Sequence, residues 1–311
     1  MRLRPGTSRD VTTFTQLSNA HSQWLRGEDA WQEDELAAIL ISATGEPADN
    51  DRYLEVGGET IAAVHVHISE PFAKGTITLA LPPVKGRADH ARTLIGAAER
   101  IVRSSSYTLP NAALQIDVHR EDAEILAVAE DLGYRVVQKM TTLEGDILDA
   151  PAPLWPSDVQ VSTFSVTRDL SDGYTVIKEA FVPKLGGWHL AQDDYEYSVQ
   201  NDPTALPGIS VIVRDSEGPV AIALNFLDTT RSNTGLTGSF GVCERWRHRG
   251  LGHALLLESF GRFRSRGWSH ARLATVLGMD LDDTDYSLYT DVGMRPIFED
   301  LVLAKGEMPR P

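Results

Sequence analysis

Leu236-Thr237-Gly238-Ser239-Phe240-Gly241-Val242 runs into Cys243-Glu244-Arg245-Trp246 and then into Arg247-His248-Arg249-Gly250-Leu251-Gly252-His253-Ala254. The first seven residues read as a strand and the last as the opening of a helix, joined by a glycine-bearing turn. Such a turn leaves several backbone N–H groups at the helix start without partners, and the helix dipole adds partial positive charge where they converge. An anion, above all a pyrophosphate, fits that place. Gly250 and Gly252 carry no Cβ to hold a phosphate away, and Arg247, His248 and Arg249 add positive charge.

Downstream, the helix is predicted from Gly250 to Arg266, with Leu251, Leu255, Leu256, Phe260 and Phe263 on one broad face and Gly267 ending it. Arg262, Arg264 and Arg266 fall on the other face, where solvation is expected. A strand over Ala271–Val276 and a short helix follow, closed by Asp291-Val292-Gly293-Met294. Upstream, Asp215-Ser216-Glu217-Gly218 separates Ile209–Arg214 from Val220–Leu227 as a hairpin turn does.

The same order occurs about 160 residues earlier, a spacing that marks a duplicated unit. There Val56-Gly57-Gly58-Glu59-Thr60 divides Arg52–Glu55 from Ile61–Ile68, and Asp131-Leu132-Gly133-Tyr134 answers the later closing segment. Between the halves, Asp149–Ser157 carries three prolines, Pro151, Pro153 and Pro156, which stop regular structure. Residues 1–150 and 151–311 are therefore read as two domains. Each has the order strand, helices, three-stranded meander, long helix, strand, short helix and last strand, an α/β layer structure on a mixed sheet.

The 311 residues allow two domains at roughly 100–200 residues each. A net charge of −15 repels phosphate backbones and anionic membrane surfaces, so neither nucleic acid nor membrane is an expected partner. The acidity fits a cationic substrate, yet acidity that simply keeps the protein soluble is the favoured reading. A single cysteine, Cys243, forms no internal disulfide, and no Cys/His cluster has metal-site spacing, so no metal is expected. With no signal-like or 20-residue apolar stretch, the cytoplasm is the expected compartment.

The strand, the aromatic Trp246, the Arg-x-x-Gly-x-Gly turn and the leucine-rich helix together resemble the acetyl-CoA signature of the GCN5-related N-acetyltransferase (GNAT) superfamily. A second match lies at the expected distance, where Leu288-Tyr289-Thr290-Asp291-Val292-Gly293-Met294 looks like the family's Leu-Tyr-x-x-x-Gly-Phe ending. The resemblance covers roughly Val161 to Lys305 well and the first half in outline, as in the tandem two-domain branch of the mycothiol synthase type. It implies two tandem GNAT-like acyl-CoA N-acyltransferase domains. It also implies a sheet splayed between Leu236–Val242 and Ala271–Val276, with the pantetheine arm of acetyl-CoA in the opening.

By that analogy Phe240, Gly241 and Val242 meet the pantetheine, and Arg247, His248, Arg249, Gly250, Leu251, Gly252 and His253 surround the pyrophosphate. Tyr289 is then the general acid that protonates the departing thiolate, a task that suits a phenol at neutral pH. The implied activity is acetyl transfer to a primary amine, probed against a non-catalytic acyl-CoA sensor and a longer-chain acyl transferase as alternatives. One departure is local: family members often carry Asn where this chain has Leu281 or Asp282.

In the first half the stretch aligned with the turn, Pro83–Leu94, lacks both glycines where the pattern needs them and puts Asp89 near the phosphates. The position matching Tyr289 is Ala129, so the first domain is expected to be degenerate. Asp228 and Glu244 are candidate bases for the acceptor. Cys243 reads as a small buried residue rather than a nucleophile, since no His and acid pair accompanies it. His65 and His67 share a strand face without a third ligand. Gly186-Gly187-Trp188-His189 and Asp193–Tyr197 fall where the family lines its acceptor site; there, aromatics and carboxylates either hold an ammonium or form a solvated helix start.

Overall fold

A computed structural model describes residues 1–34, 36–37, 47–69, 74–104, 113–181, 192–277 and 284–306. Contacts divide the chain into two compact units, one of residues 1–139 with 300–309, the other Met140–Glu299.

The first unit runs β1 (Arg2–Pro5), α1 (Val11–Arg26), α2 (Pro47–Asn50), β2 (Asp51–Val56), β3 (Glu59–Ser69), β4 (Lys74–Ala80), α3 (Arg87–Ser104), β5 (Ala113–His119) and α4 (Ala123–Asp131). β1 to β4 form an antiparallel meander, β4 pairs with β5 in parallel, and β5 pairs with residues 300–305. Strand alternation explains the layers. Leu54, Val64 and Val66 point to α3, while Tyr53 and Ala63 point to α1 and Phe14.

In the second unit come β7 (Gln160–Thr163), α5 (Leu170–Phe181), α6 (Gln192–Asn201), a 3₁₀ turn (Pro207–Ile209), β8 (Val211–Asp215), β9 (Gly218–Leu227), β10 (Thr234–Val242), α7 (Leu251–Ser265), β11 (His270–Leu277) and α8 (Thr284–Thr290). β7 to β10 are antiparallel neighbours and β10 pairs with β11 in parallel. β11 is followed in the sheet by β6 (Arg135–Asp146). Leu251, Leu255, Leu256, Phe260 and Phe263 of α7 are all buried, each contributing about 1.5–3 kcal/mol of apolar burial.

The division of units falls at 139/140, inside β6, and the prolines of Asp149–Ser157 lie within the second unit. The last strand, β12 (Arg295–Lys305), ends in the first unit, where Asp300 to Lys305 pair with His119 to Leu114. Lys305 is fastened there by the Glu99 carboxylate at 2.7 Å, which also accepts the Tyr134 hydroxyl.

Two expectations on α7 are corrected. Arg262 donates to Ser210 O and Thr163 Oγ1, and Arg264 donates to the carbonyls of Ile147, Leu148 and Ala150, so only Arg266 of the three is exposed. Those carbonyls belong to chain that has left regular structure, and arginine forks satisfy them. Among the described residues no helix is long and apolar enough to cross a membrane.

Candidate active site

In the second unit β10 and β11 pair at Thr234↔His270, Gly235↔Ala271, Leu236↔Arg272 and Thr237↔Leu273, and no further pair is formed among the described residues. Both strands nevertheless continue, β10 to Val242 and β11 to Leu277. The parting coincides with a bulge: Thr237 faces Asn225 and Ser239 faces Leu224, leaving Gly238 as the extra residue. A bulge bends its strand and increases the local twist, which turns β10 away from β11. Gly238 is required there, since a Cβ would lie 2.5 Å from the Phe226 ring. From Gly238 to Val242 the β11-facing edge of β10 therefore presents peptide groups that need partners from elsewhere.

Phe240 and Tyr289 border this opening, with ring centroids 6.4 Å apart. Tyr289 is 7% exposed, and its hydroxyl donates to Thr275 Oγ1 on β11 at 3.2 Å. Val292 and Met294 both donate backbone N–H to the Tyr289 carbonyl, which fixes the end of α8. Gly241 is packed so closely against α5 that a Cβ would sit 3.0 Å from that of Ala180. Gly241 thus meets the opening through backbone, while Val242, on the same face as Phe240, packs its side chain with Trp246 and Leu251.

Beyond Val242 the chain turns through Glu244–Trp246 and reaches α7 by way of two left-handed residues, His248 at φ 57° and Gly250 at φ 80°. His248 is one of only two described non-glycine residues with positive φ, a conformation costly enough to mark a constrained turn. Gly250 is the N-cap and offers no side chain to the helix start. Among the described residues, no protein acceptor meets the N–H groups of Leu251, Gly252 and His253.

The basic run is sorted by this turn. Arg245 pairs with Asp215 at 3.0 Å, and that pair together with the Trp246 indole N–H holds the Asp215 carboxyl far below its ordinary range. Arg247 folds back to the carbonyls of Val242 and Ala180, whereas Arg249 is exposed and lies over the Trp246 ring at 4.0 Å. Gly252 has a further neighbour: a Cβ there would touch Leu288 and Val242 at ordinary contact distances. His253 lines a cavity of about 400 Å³ with Asp146, Asp149 and Asp291, a setting less suited to phosphate than the turn itself.

The first unit repeats the scaffold with different contents. β4 and β5 part after Ile77↔Ile116, yet β4 keeps an unbroken register with β3. Gly86, at φ 77°, stands directly before α3 as Gly250 stands before α7, so one glycine of the turn is retained, contrary to the sequence alignment, and Ala88 is the counterpart of Gly252. Tyr134 N–H donates to the Ala129 carbonyl as Met294 N–H does to Tyr289, so those positions correspond. Arg87, only 3% exposed, donates to Leu81 O and makes a two-pronged pair with Asp122 at 2.6 Å, and it lies over the Trp24 ring beside His21. Burial alone would raise the Asp122 carboxyl, but its bonds from Arg87 and His21 hold it down at about 2. The Ala88 N–H is capped by the Glu124 carboxylate at 3.1 Å.

Other residues singled out in the sequence are accounted for. Asp228 Oδ1 accepts from Thr230 and Arg231, and Oδ2 faces Arg272 at 3.6 Å, so this carboxylate closes a turn instead of standing ready as a base. Glu244 is exposed. Burial, with Glu179 beside it, pushes the Cys243 thiol up to about 12, which leaves it inert as a nucleophile. His65 is buried against Asp51 at 2.6 Å, and His67 is exposed. Tyr195 points into the core, Tyr197 is exposed, and Glu196 accepts from Gln192. Gly186, Gly187, Trp188 and His189 lie outside the described residues, as do Leu281 and Asp282.

Sequence reasoning missed the bulge, Asn225 beneath it, and the Arg87–Asp122 pair. Gly238 was the one visible signal, an isolated glycine inside a strand pattern.

No protein-family model matches the chain, and no curated protein does. Among solved structures it is similar to a GCN5-related N-acetyltransferase from Sphaerobacter thermophilus at 20% identity, covering 100% of this chain and 96% of that one with a TM-score of 0.81. It is also similar to a tandem GNAT protein from the clavulanic acid biosynthesis pathway at 15% identity, over 100% and 99% of the two chains, TM-score 0.75. A third likeness, at 14% identity and TM-score 0.70, is to the glucosamine N-acetyltransferase region of a fungal multi-domain GH3 β-N-acetylglucosaminidase, covering 98% of this chain and 38% of that one. With the parted strands, the glycine turn and the duplicated element order, these likenesses establish the fold of this chain as that of the tandem GCN5-related N-acetyltransferases.

Proposed function

We propose that the chain is an N-acetyltransferase that uses acetyl-CoA in its second unit and acetylates a primary amine of a small molecule. The observation that carries this reading is the continuity of two unmet demands. The free peptide edge of β10, residues 238–242, leads directly to the uncapped N–H groups at the start of α7. An extended ligand with amides along its length and a pyrophosphate at its end answers both demands.

On this reading the backbone of Phe240, Gly241 and Val242 bonds the pantetheine amides. The turn from Arg247 to His253 cradles the pyrophosphate, with Leu251, Gly252 and His253 contributing N–H groups and Arg249 and His248 standing exposed at its rim. Bound acetyl-CoA supplies the activated thioester carbonyl. The acceptor nitrogen forms its bond to that carbon as the C–S bond breaks, the β10 edge steadies the charge on oxygen, and Tyr289 gives its proton to the departing sulfur. The amine's own proton leaves to water or a surface carboxylate; Glu244 is the candidate that remains once Asp228 is committed to its turn.

The first unit is read as degenerate. Its own side chains occupy the corresponding places: Arg87 ties the carbonyl of Leu81, just past β4, to Asp122, the N-cap of α4, and Glu124 accepts the Ala88 N–H at the helix start. Titration calorimetry is expected to find one acetyl-CoA per chain, and a thiol-release assay over a panel of primary amines is expected to find an acceptor. Two equivalents would refute the degeneracy, and binding without release for any amine would favour a sensor.

A further inference from the structure

We propose that Asn225 is a positioning residue that sets where β10 parts from β11, and so sets the peptide edge offered to the acyl donor; the functional half of this rests on the transferase reading above. Asn225 is fully buried in β9, where the ladder to β8 has ended at Ala223 and the ladder to β10 shifts register just past it. Towards β8 its neighbour is no longer strand but the 3₁₀ turn Pro207–Ile209 and Ser210. Towards β10 its partner is Thr237, the last residue to pair with β11 and the last before the bulge.

Side-chain bonds replace the ladder at that point. The Asn225 backbone N–H donates to Ser210 Oγ at 2.9 Å, and its carbonyl accepts from Leu206 N–H at 2.8 Å. Its carboxamide nitrogen donates to Ile209 O at 2.6 Å and to Ser259 Oγ of α7 at 3.4 Å, and its carboxamide oxygen accepts from Thr237 Oγ1 at 3.0 Å. Ile209 O can only accept, so it dictates which end of the amide faces it, and the oxygen is left to hold Thr237. One carboxamide thereby ties together the 3₁₀ turn, α7 and the departing strand.

Neither a carboxylate nor an apolar side chain serves all three. A carboxylate would set oxygen against the Ile209 carbonyl, and an apolar side chain would leave Ile209 O and Thr237 Oγ1 buried without this partner. β4 of the first unit, which has no bulge, has apolar Val64 and Val66 on the α3-facing side of the neighbouring strand β3.

The test uses Thr237→Val, which keeps the branched shape and removes the hydroxyl, with Thr237→Ser as the conservative control. Hydrogen exchange is expected to quicken about tenfold at the amides of residues 238–242, with β3 and β4 unchanged, since an unmet buried acceptor loosens its own neighbourhood. The Kd for acetyl-CoA is expected to weaken by about tenfold in the same variant, and Thr237→Ser should restore both values. Unchanged exchange and Kd in Thr237→Val would overturn the proposal. So would a uniform quickening throughout the second unit, the mark of a merely structural loss. Wild-type protein that takes up no acetyl-CoA would remove the transferase reading and the donor-positioning role with it, whereas a local exchange change would still establish Asn225 as the clamp of the bulge.

Discussion

Gly86-Arg87 and Gly250-Leu251 open two helices that follow two parted strand pairs with similar backbone, and they differ in what the surrounding side chains do. At α3 a buried guanidinium links Leu81 O to Asp122, and Glu124 caps the Ala88 N–H. At α7 the corresponding side chain is Leu251, buried among Val220, Trp246 and Leu255, and among the described residues nothing caps the N–H groups. A fold that creates a strand gap and a helix start creates two demands, for a bridge and for an anion. Whether the chain meets them itself or leaves them to a ligand is decided by a few side chains.

The sharpest way to break the comparison is Tyr289→Phe, which keeps the ring beside Phe240 and removes the proton assigned to the thiolate. Turnover should fall about 10²–10⁴-fold, the usual contribution of a general acid, with acetyl-CoA affinity retained. Steady-state rates beside calorimetry check it, and wild-type turnover would reduce Tyr289 to its packing and its bond to Thr275.

Next in size is Arg87→Met, which strands the Asp122 carboxylate in the first unit. A loss of about 3–5 kcal/mol is expected for an ion left buried without its partner, read by denaturant titration of the full chain. Acetyl-CoA affinity should not change, because no step is assigned to that unit.

Gly252→Glu brings a carboxylate to the uncapped helix start, where like charge costs several kcal/mol and acetyl-CoA affinity should drop about 10²-fold. The counterpart Ala88→Glu should leave affinity as it is, and an equal loss from both changes would erase the distinction between the units.

The smallest effect is that of acid. The Asp122 carboxyl is held at about 2 against an ordinary 3.8. A depressed carboxyl contributes stability that is complete above its unfolded value and is lost as pH falls towards its folded one. About 2 kcal/mol should therefore disappear between roughly pH 4 and pH 2, and Asp122→Asn should flatten that part of the profile.

Much of the fold is legible in the sequence because hairpin turns, the glycine before the second unit's long helix and the Gly133 and Gly293 stops are local signals, whereas Gly86 escapes an alignment that looks for its glycines elsewhere in the turn. The turn from Arg247 to Gly252 is legible for the same reason, as is the Ala129 and Tyr289 correspondence, carried by the spacing to those stops. The bulge at Gly238 is a property of pairing between β9 and β10, and Asn225 reads there as any strand residue. Arg87 reads as one more basic residue at a helix start, since its partner Asp122 is 35 positions away. The destination of β12 is hidden too, because alternation says which face is buried and not which neighbour is met.

That destination matters during synthesis. His119 waits for Asp300, a gap of 181 residues by subtraction of their numbers, and at about 5–20 residues per second the ribosome takes roughly 10–40 s to supply it. Through that interval β5 lacks its antiparallel neighbour, an unpaired edge open to pairing with other chains. The unit made first is completed last, so its exposure to misassembly is set by the pace of translation through the other.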